Sequence, residues 1–287
     1  MLLTILRTDK VPSLGIGTIV GSAIFNILVI TGASLLIRRV KLTHYPILRD
    51  TGFYIVVIVL LFFMFKDSKL TVSESIILLI IYLVYLYLVK IWNKIFKYRT
   101  KELALEEIET TTDASFISKN LSKLIDIILN LNSNLLYKFT VSIGLITLLT
   151  HLMIESALAL ANNLQISPAI IGLTILSIGT SIPDLLSSIA VAKRGYSDMA
   201  ITNGIGSNIF DILIGIGLPY SIYFLINGIN KTIYVTNENI NASIALLFLS
   251  AFVILFVFMI QNWKTKKRSG ALLILIYLGY LAYLVLN

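Results

Sequence analysis

The chain has 287 residues, of which 57% are hydrophobic and only 13% charged, with a net charge of +8. Soluble domains carry roughly 25% charged residues, so an ordinary soluble fold is excluded. Zero cysteines exclude disulfides, zinc–thiolate sites and thiol redox chemistry, and in so apolar a chain the basic excess reads as membrane topology, with no nucleic-acid partner expected.

Apolar runs fall near 15–37, 52–65, 72–92, 138–160, 168–192, 199–226, 240–260 and 270–286. A bilayer span needs about 20 such residues, so eight helices are expected, the second being short unless it borrows from 47–51. This is the pattern of an all-α, polytopic membrane protein that contacts the lipid bilayer on most sides. The opening MLLTILRTDK has no basic stretch before its apolar part and no cleavage site after it, so no signal peptide is read there. The longest polar interruption, 98–120, divides the chain into a first half of three helices (1–92), a linker (93–137) and a second half of five (138–287). Leu121, Leu124, Ile125, Ile128 and Leu129 keep helical spacing, consistent with an amphipathic surface helix at the linker's end. The linker's Glu102, Glu106, Glu107 and Glu109 read as an ordinary solvated charge run.

Eighteen of the 23 Lys and Arg fall in the connections 38–50, 90–138, 193–194 and 261–269. The stub before the first helix and the connections 66–71, 161–167 and 227–239 hold the other five. Basic and non-basic connections alternate strictly, which places the basic ones on the cytoplasmic side.

A segment is written twice: VGSAIFNIL at 20–28 and IGSNIFDIL at 205–213, offset by 185. The first copy lies in the first helix and the second in the sixth, so the two run in opposite directions. Inverted repeats build many secondary transporters, with the substrate site between the halves near the bilayer midplane. Each copy is therefore expected to supply half of one site.

The densest polar stretch inside a span is LTILSIGTSIPDLLSSIAVA, 173–192. Ser177, Thr180, Ser181, Asp184 and Ser188 share one helical face. Pro183 has no N–H to give the Gly179 carbonyl, so the helix is expected to open there. Hydroxyls, a carboxylate and freed carbonyls suit a hard cation such as calcium, which takes six to eight oxygens. In the second copy Ser207 and Asp211 share a face, as Ser22 and Asn26 do in the first. Gly17, Gly21, Gly204 and Gly206 read as close-packing positions. Asp184 and Asp211 are read as cation ligands; the plainer reading is a structural carboxylate paired with a basic residue from another helix. His151 and Glu155, four apart, form a weak candidate pair. The enzyme motifs HExxH, GxSxG and a glycine-rich phosphate loop are missing from the sequence, so no enzyme activity and no cofactor are expected.

GTSIPD followed by SDMAITNGIGSNIFDILIGIGLPY resembles the second alpha repeat of the sodium/calcium exchanger superfamily. GIGTIVGSAIFNILVITG resembles the first, in the potassium-dependent branch, as does KLTHYPILRDTGFY. The resemblance covers nearly the whole chain and implies the inverted-repeat cation antiporter fold, with ten helices. It also implies exchange of external sodium for internal calcium, with potassium moving alongside calcium as a further possibility. Thr180, Ser181, Asp184, Ser207, Asn208 and Asp211 would be ligands from one repeat, and Ser22 and Asn26 from the other. A multi-pass protein of the plasma membrane is expected.

One departure stands out. The family's first repeat should carry a GSSxPE-like partner of GTSIPD, and the offset of 185 puts it before Met1. The expectation is a chain lacking two helices, with about eight spans of ten. Two alternatives stay open: a calcium/proton or other cation antiporter on the same fold, and a non-transporting chain that needs a partner chain to supply the two helices.

Overall fold

The computed structural model describes residues 12–37, 42–96, 134–235, 238–264 and 266–286. The linker 98–120, the amphipathic segment 121–129 and the stub carrying Arg7 and Lys10 lie outside the described residues. All eight apolar runs fold as helices: α1 Pro12–Ile37, α2 His44–Met64, α3 Val72–Ile95, α4 Leu135–Leu164, α5 Pro168–Lys193, α6 Ser197–Asn227, α7 Glu238–Ile260 and α8 Lys267–Leu286. The first seven are long and apolar enough to cross a membrane. The short run at 52–65 borrows more than expected, starting at His44. Pro46 falls in the first turn of α2, where its missing N–H costs nothing.

Residues 1–96 and 157–287 form one compact unit and 97–156 a second. In the second unit the described part is the first stretch of α4, which includes His151 and Glu155. In the first unit the two sequence halves pack together. α1 is its central helix, packed against α5, α6, α7 and α8.

The seam between α1 and α5 is a backbone approach that only glycine permits. A Cβ on Gly21 would stand 2.5 Å from the Leu173 carbonyl oxygen, and one on Gly172 would collide with the Leu14 carbonyl. Gly17, as expected, makes the same approach one turn earlier, 2.8 Å from the Ala169 carbonyl. Gly204 and Gly206, expected to do likewise, do not. A Cβ at Gly204 would make ordinary contact with the Asn26 carbonyl at 3.5 Å, and one at Gly206 would have room.

Five of the connections sort by charge among the described residues. Strand β1 (Lys69–Leu70) pairs antiparallel with β2 (Ile233–Tyr234), joining two of the poorly basic connections at one end. At the other end the Leu42 N–H donates to the Trp263 carbonyl (2.7 Å) and Thr43 Oγ1 donates to Asp198 Oδ2 (2.9 Å). These contacts gather three of the basic connections. Gly204, near the start of α6, lies against Asn26 and Ile30 of α1, and Gly215 farther along lies against Ile19, so the two copies of the repeated segment run antiparallel.

Candidate functional site

The expected opening of α5 at Pro183 is not found. Ser177–Lys193 is continuous helix with Pro183 inside it. The irregularity lies upstream, as one wide π-type turn over Gly172–Leu176, and a second such turn in α1 spans Asn26–Ile30. A proline removes one donor, and here the helix continues through it without a break. Such wide turns recur at functional sites because they re-aim side chains within an otherwise regular helix. The turn in α1 begins at Asn26 itself.

Two pairs of candidates are brought together. Ser207 Oγ on α6 donates to Asp184 Oδ2 on α5 at 3.3 Å. Asp211 stands one turn beyond Ser207 on the same face of α6. On the other side, Asn26 Nδ2 on α1 donates to Asn208 Oδ1 on α6 at 2.9 Å. Asn208 Nδ2 donates in turn to the Ala23 carbonyl (3.0 Å) and to Tyr54 Oη (3.2 Å). Asn26 and Asn208 are 1% and 0% exposed.

Ser22, Thr180 and Ser181 make no hydrogen bond to another member of the set. Ser22 and Ser181 are buried, whereas Thr180 lies on the exposed face of α5. Ser22 Oγ donates to the Ile19 carbonyl (2.9 Å), and Thr180 Oγ1 to the carbonyls of Leu176 (3.0 Å) and Ser177 (3.2 Å). Disposing of the hydroxyl proton within its own helix leaves the oxygen lone pairs facing outward. That suits cation binding, since an ion needs acceptors and is repelled by a proton aimed at it.

Among the described residues neither Asp184 nor Asp211 has a basic partner, so the paired structural carboxylate is not what is seen. The buried carboxylate that is paired lies elsewhere. Asp50 on α2 accepts from Arg49 Nε (2.6 Å) and Nη2 (2.9 Å) and from Tyr85 Oη on α3 (3.1 Å). Sequence reasoning passed over Asp50, Tyr54 and Tyr85. The available signal was that Asp50 is ionisable and one turn from a tyrosine inside a helix that must start near residue 44. Among the described residues no group of three or more His, Asp or Glu side chains could hold a metal, so His151 and Glu155 gain no third member.

The sodium/calcium exchanger protein family model matches residues 2–91 and 134–286. Sodium/potassium/calcium exchanger 1 of Bos taurus is 38% identical over 143 residues, covering 50% of this chain and 12% of that protein. Sodium/potassium/calcium exchanger 2 of Rattus norvegicus is 37% identical over 145 residues, covering 50% and 22%. The matches thus span less than a quarter of those relatives' length. Among solved structures, the sodium-calcium exchanger NCX_Mj soaked with 100 mM Na+ and 10 mM Sr2+ aligns with a TM-score of 0.59 at 23% identity, covering 98% of this chain and 80% of that one. The H+/Ca2+ exchanger CAX aligns at 0.64 and 15% identity, covering 98% and 69%. These two show the fold, that of an inverted-repeat cation exchanger embedded in a membrane. By its family match, the chain belongs to the sodium/calcium exchanger protein family.

Proposed function

We propose that this chain is a secondary antiporter that exchanges Na+ for Ca2+ across a membrane, with K+ accompanying Ca2+, through one site shared by the two inverted repeats. The observation that carries the reading is Asp184 on α5 accepting from Ser207 of α6, one turn from Asp211, with no basic partner for either carboxylate among the described residues. Uncompensated charge in a span is costly and is kept where a cation neutralises it.

The donor set on this reading is Asp184, Asp211, Ser207, Thr180 and Ser181 from the second repeat, with Ser22 and Asn26 from the first. Asn208 acts from behind, by holding Asn26. Two carboxylates match one Ca2+ or two Na+ in charge. Because these ions are of similar size, neutralisation rather than fit makes them mutually exclusive. Alternation then comes from movement of one helix group against the other around the fixed site. The plasma membrane is the proposed location.

The test is 45Ca2+ uptake by the chain in proteoliposomes under an imposed Na+ gradient or an imposed pH gradient. Uptake driven by Na+ and lost in Asp184→Asn is the expected result. Uptake driven by the pH gradient alone would assign the chain to proton-coupled exchange instead.

A further inference from the structure

A buried asparagine presents its oxygen to an ion only if something fixes which way its amide faces, because oxygen and NH2 are nearly equal in size. In this molecule a chain of three side chains does so. It starts from a group that can only accept, the backbone carbonyl of Ala23, which takes a hydrogen bond from Asn208 Nδ2 at 3.0 Å. The second Nδ2 hydrogen of Asn208 goes to Tyr54 Oη at 3.2 Å. With both hydrogens engaged on that side, the Asn208 oxygen faces Asn26 and accepts from Asn26 Nδ2 at 2.9 Å. Asn26 is thereby turned so that its nitrogen meets Asn208 and its oxygen faces away. That oxygen is buried and has no hydrogen-bond partner among the described residues. A buried amide oxygen left without a donor is unfavourable, and a hard cation is the ligand that would satisfy it.

We propose that Tyr54 is a positioning residue for the cation site, acting through Asn208 to present the Asn26 oxygen to the ion. The proposal rests on the cation-antiport reading above. Tyr54 is suited to the task. Its ring is wholly buried, and one turn earlier on α2 Asp50 is tied to Arg49 and to Tyr85 of α3. The hydroxyl therefore stands on a braced helix. If Tyr54 donated to Asn208 instead of accepting, the Asn208 oxygen would be needed on the Tyr54 side. The Asn26 amide would then reverse and aim its NH2 at the ion. Accepting from Asn208 keeps the array in the state that offers oxygen.

The experiment is equilibrium 45Ca2+ binding to the full chain in detergent, for the wild type and for Tyr54→Phe, Asn26→Ala, Asp184→Asn and the double variant Tyr54→Phe/Asn26→Ala. Tyr54→Phe should raise the Kd on the order of tenfold, one hydrogen bond's worth of orientation. In the Asn26→Ala background the same change should have no further effect, because there is no amide left to orient. A purely structural role would weaken binding equally in both backgrounds, and that additivity would overturn the proposal, as would wild-type affinity in Tyr54→Phe. If Asp184→Asn and Asn26→Ala also bind Ca2+ like the wild type, the cation-site reading itself is what fails. Should Tyr54→Phe lose its monodisperse elution peak, Tyr54→Met, which also fills the space without an acceptor, replaces it in the same cycle.

Discussion

Ala23 and Asn208 occupy the same place in the two copies of the repeated segment, and they touch: Asn208 Nδ2 donates to the Ala23 carbonyl at 3.0 Å, across a separation of 185 residues equal to the repeat offset. A contact between equivalent positions is what an approximate twofold axis passing between them produces. The nearest candidates, Asn26 in one copy and Asp211 in the other, then fall on opposite sides of that axis. The repeat supplies one neutral and one charged version of the same ligand position.

The carboxylates should therefore differ in consequence. Asp184→Asn removes charge at the residue that Ser207 donates to, and should abolish Ca2+ binding and transport. Asp211→Asn makes the second copy like the first, and should weaken dependence on K+ more than Ca2+ transport. Flux measured with and without K+ decides this, and the reverse ranking would mean that the two roles are exchanged.

The sorting of connections by charge predicts labelling. Single cysteines at Arg194 and Lys266 should react with a membrane-impermeant maleimide only from the cytoplasmic side, and those at Ser68 and Asn230 only from the opposite side. The β1–β2 pairing already puts the last two at one end. Accessibility of Ser68 and Arg194 from one side would contradict the antiparallel placement of the repeats.

The α1–α5 seam predicts a contrast between two glycines. Gly21→Ala drives a methyl into the Leu173 carbonyl and should destabilise the chain by about 1–3 kcal/mol, as overpacking usually does. Gly52→Ala on α2 meets nothing within 4 Å and should be neutral or stabilising by up to ~1 kcal/mol, the helix-propensity gain. Thermal unfolding in detergent measures both, and equal effects would show that the seam is not tight.

The Arg49–Asp50 pair predicts non-additivity. Arg49→Leu leaves a buried carboxylate with, among the described residues, only Tyr85 to donate to it, a change that typically costs about 3–5 kcal/mol. Arg49→Leu/Asp50→Leu removes the charge as well and should be the more stable of the two variants in the same unfolding assay. A double variant less stable than the single one would mean that the pair contributes more than mutual neutralisation.

Much of this architecture is written in the sequence because a bilayer makes length and apolarity decisive. The eight runs, the alternation of Lys and Arg, and the 20–28/205–213 repeat all report on it directly. What was not legible involves groups whose meaning depends on a neighbour. Tyr54 is one aromatic among many until Asn208 reaches it from α6. Asp50 looks like the edge of a loop until α2 is seen to begin at His44. The expectation for Pro183 failed for a related reason. A missing N–H says where a hydrogen bond is lost, but not whether the helix breaks there, and Ser177–Lys193 stays helical through Pro183. Gly204 and Gly206 carried the small-residue signal of Gly17 and Gly21, yet no helix approaches them as closely.

The central claim is that one ion is held by both repeats at once. It is tested most directly by 45Ca2+ equilibrium binding to the wild type, Asn26→Ala and Asp184→Asn, with Na+ as competitor. The account predicts a single class of Ca2+ site that is lost in Asp184→Asn, weakened in Asn26→Ala, and emptied by Na+ with a Hill coefficient above one. Binding that Asn26→Ala leaves at wild-type affinity, with the protein folded, would contradict it, because the site would then belong to the second repeat alone.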